Sequence, residues 1–132
     1  MTLTSEEHAL LELARNARRN AYAPYSRYAV GSAVLMADGR MFAGVNVENA
    51  SYGLTVCAER VAVWKAISEG TQELKAVAVI TADGAPPCGA CLQVLAEFAP
   101  NPEECVVWLA TPDSLVRRLT LAELLPVRFY LR

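Results

Sequence analysis

Two continuous apolar runs limit the folds open to this chain of 132 residues more than any other feature does. Residues 75–81 read KAVAVIT, and residues 105–110 read CVVWLA. Side chains alternate between the two faces of a sheet, so a strand that is apolar at nearly every position is covered on both faces. The two runs therefore predict buried strands, with 75–81 in the centre of the sheet.

Helices that cover those faces are predicted from capping signals and apolar periodicity. Thr4 and Glu7 have the spacing of a capping box, which satisfies free amides at a helix start. Thr55 is the predicted N-cap of a second helix, and Pro87 leads into a third because proline favours the first helical turn. The three helices are predicted over residues 5–20, 56–68 and 88–98.

The remaining segments predict a hairpin and an edge strand. Asp38-Gly39 is a hairpin signal between the strand-like residues 28–36 and 40–46. Residues 115–119 are a predicted edge strand and 121–125 a final helical turn. This order predicts an α/β fold with three layers, α/β/α, around a mixed five-stranded sheet. The length places residues 1–132 in a single domain.

Composition and charge exclude several classes of function. Twelve Lys and Arg against fourteen Asp and Glu, without a long run of one sign, argue against a polynucleotide partner. The apolar stretches are too short to span a bilayer, so no membrane partner is expected. The start MTLTSEEHAL carries acidic residues where a signal peptide would carry positive charge, which predicts a cytoplasmic location. At 54% hydrophobic residues, a chain this small has apolar surface to spare for self-association.

The cysteines have the pattern of a metal site. Cys88 and Cys91 have C-x2-C spacing near one predicted helix start, and Cys57 lies near the start of the preceding helix. Helix N-termini favour thiolate over thiol, and three ligands leave the open position of a catalytic zinc. Cys105 could add a fourth ligand and close a structural site, but its place in CVVWLA favours a buried hydrophobe. His8 is expected to be a solvated or packed side chain.

Glu59 and Arg60 follow Cys57 directly. Glu59 is the acid expected beside the metal, although residues two apart do not share a face of a regular helix. Zinc with three thiolates carries a net charge of −1, which opposes ionisation of a bound water. Arg60 is the predicted compensating group, donating hydrogen bonds to ligand sulfurs. A surface helix arginine is the plainer interpretation of Arg60 taken alone.

Together these motifs resemble the small, homotetrameric class of cytidine deaminases, which act on free nucleosides. CAER at 57–60 followed by PCGAC at 87–91 is similar to the zinc pattern in its three-cysteine form. The similarity runs from PYSRYAVGSAV to ELLPVRF near the end of the chain. The resemblance implies the cytidine deaminase fold, one Zn²⁺ per subunit and a homotetramer whose sites are shared between subunits.

The resemblance also implies a reaction and its residues. Cys57, Cys88 and Cys91 would hold zinc, and Glu59 would take a proton from the attacking water and deliver it to N3 and then to the leaving amine. Attack at C4 converts cytidine and 2'-deoxycytidine to uridine and 2'-deoxyuridine, a step of pyrimidine salvage. The substrate contacts implied by the family are Asn46 and Glu48 of NVENASY at the ribose, the Ala58 backbone at the pyrimidine, Tyr28 stacked on the base, and Tyr52 and Phe129 reaching a neighbouring subunit.

Two positions depart from the family pattern. Tyr28 stands where relatives have Phe, and its hydroxyl requires a partner. Leu92 stands where an Arg usually follows the third cysteine, so Arg60 is the only arginine close in sequence to a ligand.

Three alternative functions remain at this point. A deaminase of a cytosine nucleoside analogue such as blasticidin S shares the size and zinc motif, but the intact NVEN string argues against it. An enzyme that edits RNA or DNA is disfavoured by the acidic balance. An inactive structural zinc module is disfavoured because such a site has no need of a non-ligating carboxylate at Glu59.

Overall fold

The computed structural model describes residues 2–131, which form a mixed sheet with helices on both faces. The helices are α1 (Ser5–Arg18), α2 (Ala58–Ser68), α3 (Gly89–Phe98) and the single turn α4 (Leu121–Leu124). The strands are β1 (Gly31–Met36), β2 (Met41–Val45), β3 (Leu74–Ile80), β4 (Val106–Ala110) and β5 (Leu115–Thr120). A short 3-10 helix spans Tyr52–Leu54 in the segment predicted as a loop.

The order of strands in the sheet is β2-β1-β3-β4-β5. Strand β1 is antiparallel to both β2 and β3, β3 is parallel to β4, and β4 is antiparallel to β5. The predicted mixed five-stranded α/β fold is confirmed. Because β2 and β3 both run opposite to β1, they end at the same edge of the sheet. Helix α2 follows β2 and α3 follows β3, so the two helices begin at that common edge.

Alternating side chains of the central strands fill two separate cores. On one face, Ala33 and Leu35 of β1 and Trp108 of β4 pack with α1. On the other face, Val34 of β1 and Val107 of β4 pack with α2 and α3. The apolar run of β3 contributes to both cores, which is the reason that it lacks the polar alternation of a half-exposed strand.

Helix α2 lies unusually close to the backbone of β2. A Cβ atom on Gly44 would stand 2.5 Å from the Ala58 carbonyl oxygen and 2.5 Å from the Ala62 amide nitrogen. Glycine is therefore required at this position for the first turn of α2 to rest on the strand. That contact fixes the height of residues 57–59 above the sheet.

Several predicted boundaries shift by one to three residues. Helix α1 ends at Arg18 instead of 20, and β1 starts at Gly31 instead of 28. Arg27, with a φ of 60°, turns the chain just before β1, and the side chain of Asn46 occupies backbone groups of residues 28 and 30. No helix within residues 2–131 is long and apolar enough to cross a membrane.

Candidate active site

Cys57 and Cys88 occupy equivalent positions at the two helix starts on the common edge. Each is the N-cap residue of its helix, with extended backbone angles. The prediction that Thr55 caps α2 is wrong: its hydroxyl instead accepts a hydrogen bond from the Asn49 amide at 3.1 Å. A thiol at the N-cap faces the positive end of the helix dipole, which favours its ionised form.

The sulfur atoms of Cys57, Cys88 and Cys91 form one compact cluster. All three lie within 4.8 Å of one another, and Cys88 and Cys91 are separated by 3.4 Å between sulfurs. Three sulfurs bound tetrahedrally at about 2.3 Å from zinc stand about 3.8 Å apart, so a zinc ion fits between them with small adjustments. Cys105 is not part of this cluster; it is 2% exposed and packs in the core beneath α3.

The cluster is prepared to carry negative charge. A hydrogen bond from the Cys91 thiol and another from Arg60 lower the pKa of Cys57 from 9.0 to about 5. The Arg60 Nη2 to Cys57 Sγ distance is 3.1 Å. The same sharing of a proton with Cys57, together with burial, raises the pKa of Cys91. Metal binding would displace the remaining thiol protons, since only thiolates bind zinc.

Glu59 projects into the space beside these sulfurs. Because Cys57 is the cap and not a residue of the helix proper, the two side chains need not share a helix face, and Glu59 turns inward from the first turn of α2. Its side chain is buried, with 4% exposed. Burial, reinforced by the Cys57 thiolate, raises the pKa of Glu59 from 4.5 to about 7. A carboxyl group with this pKa can both accept and donate a proton near neutrality.

A cavity of about 270 Å³ opens beside Glu59 and the sulfurs. Eight of the predicted site residues line it, together with seven other residues. The lining residues are Ser26, Tyr28, Val30, Asn46, Glu48, Tyr52, Thr55, Val56, Cys57, Ala58, Glu59, Val79, Thr81, Pro86 and Cys88. Among residues 2–131, those that line the cavity include carboxylates but no Lys, Arg or His.

Asn46 and Glu48 are both buried, and both form hydrogen bonds to residues 25–30, the segment before β1. Asn46 donates from Nδ2 to the Tyr28 carbonyl oxygen at 2.7 Å and accepts from the Val30 amide at 2.9 Å. Glu48 accepts from the amide of Ser26 at 3.1 Å and also from the Ser26 hydroxyl. These hydrogen bonds keep the pKa of Glu48 below its usual value. Each side chain retains acceptor or donor capacity toward the cavity.

The hydroxyl of Tyr28 finds its partner in Asp83, a residue that sequence reasoning missed. The Tyr28 Oη to Asp83 Oδ1 distance is 2.6 Å. Thr81 also donates to Asp83, at 3.2 Å. Burial and this hydrogen bond raise the pKa of Tyr28, and the same bond lowers the pKa of Asp83. The only sequence signal was the tyrosine hydroxyl itself, which requires an acceptor but does not say where.

Comparison with known proteins identifies the family. The sequence profile of the cytidine and deoxycytidylate deaminase zinc-binding region matches residues 4–108. The chain belongs to this family. A cytidine deaminase of Halalkalibacterium halodurans is 48% identical over 126 residues, covering 94% of each chain. A crystal structure of cytidine deaminase from Burkholderia pseudomallei superposes with a TM-score of 0.87 at 44% identity, covering 96% of this chain and all of the other.

A more distant relative bears on the alternative functions. A blasticidin-S deaminase of Bacillus cereus is 25% identical over 114 residues, which cover 79% of each chain. The family match spans all three cysteines and Glu59, and the cluster is suitable for the zinc of this deaminase family.

Three further positions that the sequence singled out differ in how far their side chains are exposed. Tyr52 lines the cavity and is 57% exposed. Phe129 is not among the lining residues; it is 67% exposed, and its carbonyl oxygen accepts from Gln93 Nε2 at 2.9 Å. Leu92, at the position where the family usually has Arg, is 7% exposed. It lies on the face of α3 that packs against the core.

Proposed function

We propose that this chain catalyses the zinc-dependent hydrolytic deamination of cytidine and 2'-deoxycytidine, releasing ammonia and forming uridine and 2'-deoxyuridine. The observation that carries the proposal is the buried carboxyl of Glu59 beside three clustered thiols in one cavity. A structural zinc site does not require a carboxyl group that is not a ligand. Burial of an ionisable group costs free energy, and such groups are concentrated at functional sites. The proposal takes residues 1–132 as a single domain.

Cys57, Cys88 and Cys91 would hold the zinc ion, one per subunit. A bound zinc ion supplies a Lewis acid that brings the pKa of water toward neutrality. Three thiolates oppose that effect by their negative charge, and the guanidinium of Arg60 at Cys57 Sγ offsets part of it. Cys57 and Cys88 line the cavity, and no further ligand among residues 2–131 completes the cluster, so a zinc ion held there would be accessible from the cavity.

Glu59 would carry the protons of the reaction. Its carboxylate takes a proton from the attacking water, whose oxygen forms the new bond to C4 of the cytosine ring. That proton passes to N3. The carboxylate then takes the second proton from the new C4 hydroxyl and delivers it to the amino group as the C4–N4 bond breaks, so ammonia leaves and the C4 carbonyl of uridine forms. One group can serve both stages because a carboxyl with a pKa of about 7 both accepts and donates protons near neutrality.

The cavity residues would orient the nucleoside. Asn46 and Glu48 offer an amide and a carboxylate for the ribose hydroxyls, the backbone of Ala58 holds the pyrimidine, and the Tyr28 ring stacks on the base. The absence of Lys, Arg and His from the described lining suits an uncharged nucleoside better than a nucleotide.

A homotetramer with shared sites completes the proposal. Large apolar side chains stand exposed on the described surface near and beyond the cavity, among them Tyr52, Leu54, Val127 and Phe129. Exposed apolar side chains of this size support an interface between subunits. Tyr52 and Phe129 would reach a neighbouring site. Light scattering tests the tetramer, and the expected mass is that of four chains. The cytoplasmic location stays a prediction.

Two alternatives are separated from this proposal by specific features. Deamination of blasticidin S is disfavoured by the low identity to the deaminase of that compound and by the placement of Asn46 and Glu48 at the cavity. An inactive structural zinc module is disfavoured by Glu59. Binding of single-stranded nucleic acid, which the acidic charge balance disfavours, would be seen as a gel shift, and none is expected.

The deciding experiment is the ultraviolet spectrum of cytidine incubated with the zinc-loaded protein, with Glu59→Gln run beside it. Conversion to the uridine spectrum by the native chain alone supports the proposal. Conversion of blasticidin S but not cytidine would favour the analogue deaminase. Equal conversion by Glu59→Gln at full zinc content would overturn the role of Glu59.

A further inference from the structure

A continuous series of hydrogen bonds runs along the rim of the cavity. Glu48 Oε1 accepts from the amides of Tyr25 and Ser26 at 2.9 and 3.1 Å. The Ser26 hydroxyl oxygen accepts from the Tyr28 amide at 3.0 Å. The Tyr28 hydroxyl then donates to Asp83 Oδ1 at 2.6 Å, joining residues 55 apart in sequence. The rim therefore connects the segment before β1 with the loop after β3.

That loop, residues 81–87, is built around the buried side chain of Thr81. Thr81 Oγ1 accepts from the amides of Gly84 and Ala85 at 2.7 and 3.0 Å and donates to Asp83. The loop ends at Cys88, one of the three clustered cysteines. Its shape therefore sets the position of Cys88 at the start of α3, and its contact with Tyr28 links the loop to the segment before β1.

We propose that Tyr28 and Asp83 form a positioning pair, whose hydroxyl–carboxylate hydrogen bond holds the tyrosine ring and loop 81–87 in place across the nucleoside pocket. The inference rests on the proposed function, because the surface that the pair orders is the one on which the base would stack. The pair moves no proton and binds no metal; it acts through the ring of Tyr28 and the loop that leads to Cys88.

The physical case is that packing covers the tyrosine ring only in part. Tyr28 is 36% exposed at the mouth of the cavity, so packing alone restricts its side chain weakly. A hydrogen bond to an ionised carboxylate is stronger than one between neutral groups. Phenylalanine at position 28 would keep the apolar face but lose this restraint, and Asp83 would lose its shortest hydrogen bond.

The kinetic test uses Tyr28→Phe, Asp83→Ala and the double variant, each zinc-loaded, with cytidine as substrate. We expect KM to rise about tenfold in each single variant with kcat within about twofold, as loss of one charged hydrogen bond would produce. The double variant should be no worse than either single variant, because both remove the same bond. Asp83→Asn keeps an acceptor for the hydroxyl but loses the charge, so its KM should lie between that of the native chain and that of Asp83→Ala. Additive losses in the double variant, or an unchanged KM in Tyr28→Phe, would overturn the proposal.

A second readout does not depend on activity. Hydrogen exchange of the amides of residues 82–85 should be about tenfold faster in Tyr28→Phe than in the native chain. Asp83→Ala also removes the bond that the Ala85 amide donates to Asp83 Oδ1 at 3.3 Å, so its exchange should be at least as fast. Tyr22→Phe is the matched control, because Tyr22 is exposed and does not line the cavity; its exchange in this loop should be native. Unchanged exchange in Tyr28→Phe overturns the pair. If the native chain does not deaminate cytidine, the proposed function fails while the exchange comparison still decides the pair.

Discussion

Arg60, in the first turn of α2, donates a hydrogen bond from Nη2 to the sulfur of Cys57, the N-cap residue of the same helix, at 3.1 Å. The contact joins a permanent positive charge to the Cys57 thiolate and helps to lower its pKa. It also solves a problem of charge that the three-cysteine site creates, because three thiolates outweigh the charge of one zinc ion. Arg60 therefore contacts the thiol cluster, although its spacing alone fits a surface helix arginine.

Replacing Arg60 by Ala should lower kcat for cytidine by about ten- to a hundredfold while one zinc per chain is retained. The reason is that the remaining thiolate charge would disfavour ionisation of the attacking water. Parallel zinc analysis and kinetics check this, and Arg60→Lys, which keeps the charge but not the planar fork, should fall between. A variant with native kcat at full zinc content would contradict the role of Arg60.

The fold was predictable where local pattern and burial agree. The apolar runs predicted β3 and β4 within one residue at each end, and the capping box of Thr4 and Glu7 forms as expected. The start of β1 was not predictable, because Asn46, 16 to 18 residues away, takes the backbone groups that would have extended the strand. Side-chain bonds of that range leave no trace in a local pattern.

Gly44→Ala should destabilise the protein by about 1–3 kcal/mol and weaken zinc binding. The added methyl would stand 2.5 Å from backbone atoms of α2, so the helix must move away from β2 and carry Cys57 with it. Thermal unfolding and competition with a chelator measure the two effects. Gly53→Ala is the control for stability, since a Cβ there meets nothing within 4 Å. Native stability and zinc affinity in Gly44→Ala would show that α2 does not depend on this contact.

Leu92, which stands where the family usually has Arg, has a packing role. It is buried among the core residues of α3, so its contribution is apolar. Leu92→Ala should reduce the free energy of unfolding by about 2–4 kcal/mol in urea denaturation. Glu97→Ala, on the exposed side of the same helix, should stay within about 0.5 kcal/mol of native. Equal losses of stability in the two variants would show that Leu92 does not contribute to the core.

The site was predictable as far as residue types specify chemistry. Cys57, Cys88 and Cys91 meet as their spacing and helix starts suggested, and Glu59 turns inward because Cys57 is the N-cap. Asp83 was not predictable, since its contact with Tyr28 depends on the shape of two loops 55 residues apart.

Cys105 should make stability depend on alkaline pH. Burial raises the pKa of its thiol from 9.0 to about 12, so between these values the folded chain keeps a proton that the unfolded chain loses. Stability from this group is therefore fully present below pH 9 and falls as pH rises toward 12, by about 2 kcal/mol at pH 10.5. Cys105→Ala lacks the titration, although the small cavity it leaves lowers stability at every pH.

Urea denaturation of the native chain and Cys105→Ala at pH 8 and pH 10.5, both zinc-loaded and under reducing conditions, measures the difference. Other groups titrate equally in both proteins, so the gap between them isolates Cys105. We expect the native chain to be the more stable at pH 8 and to lose that advantage, or fall below the variant, by pH 10.5. A gap that stays constant across the two pH values would mean that the thiol of Cys105 ionises as easily in the folded chain as in the unfolded one.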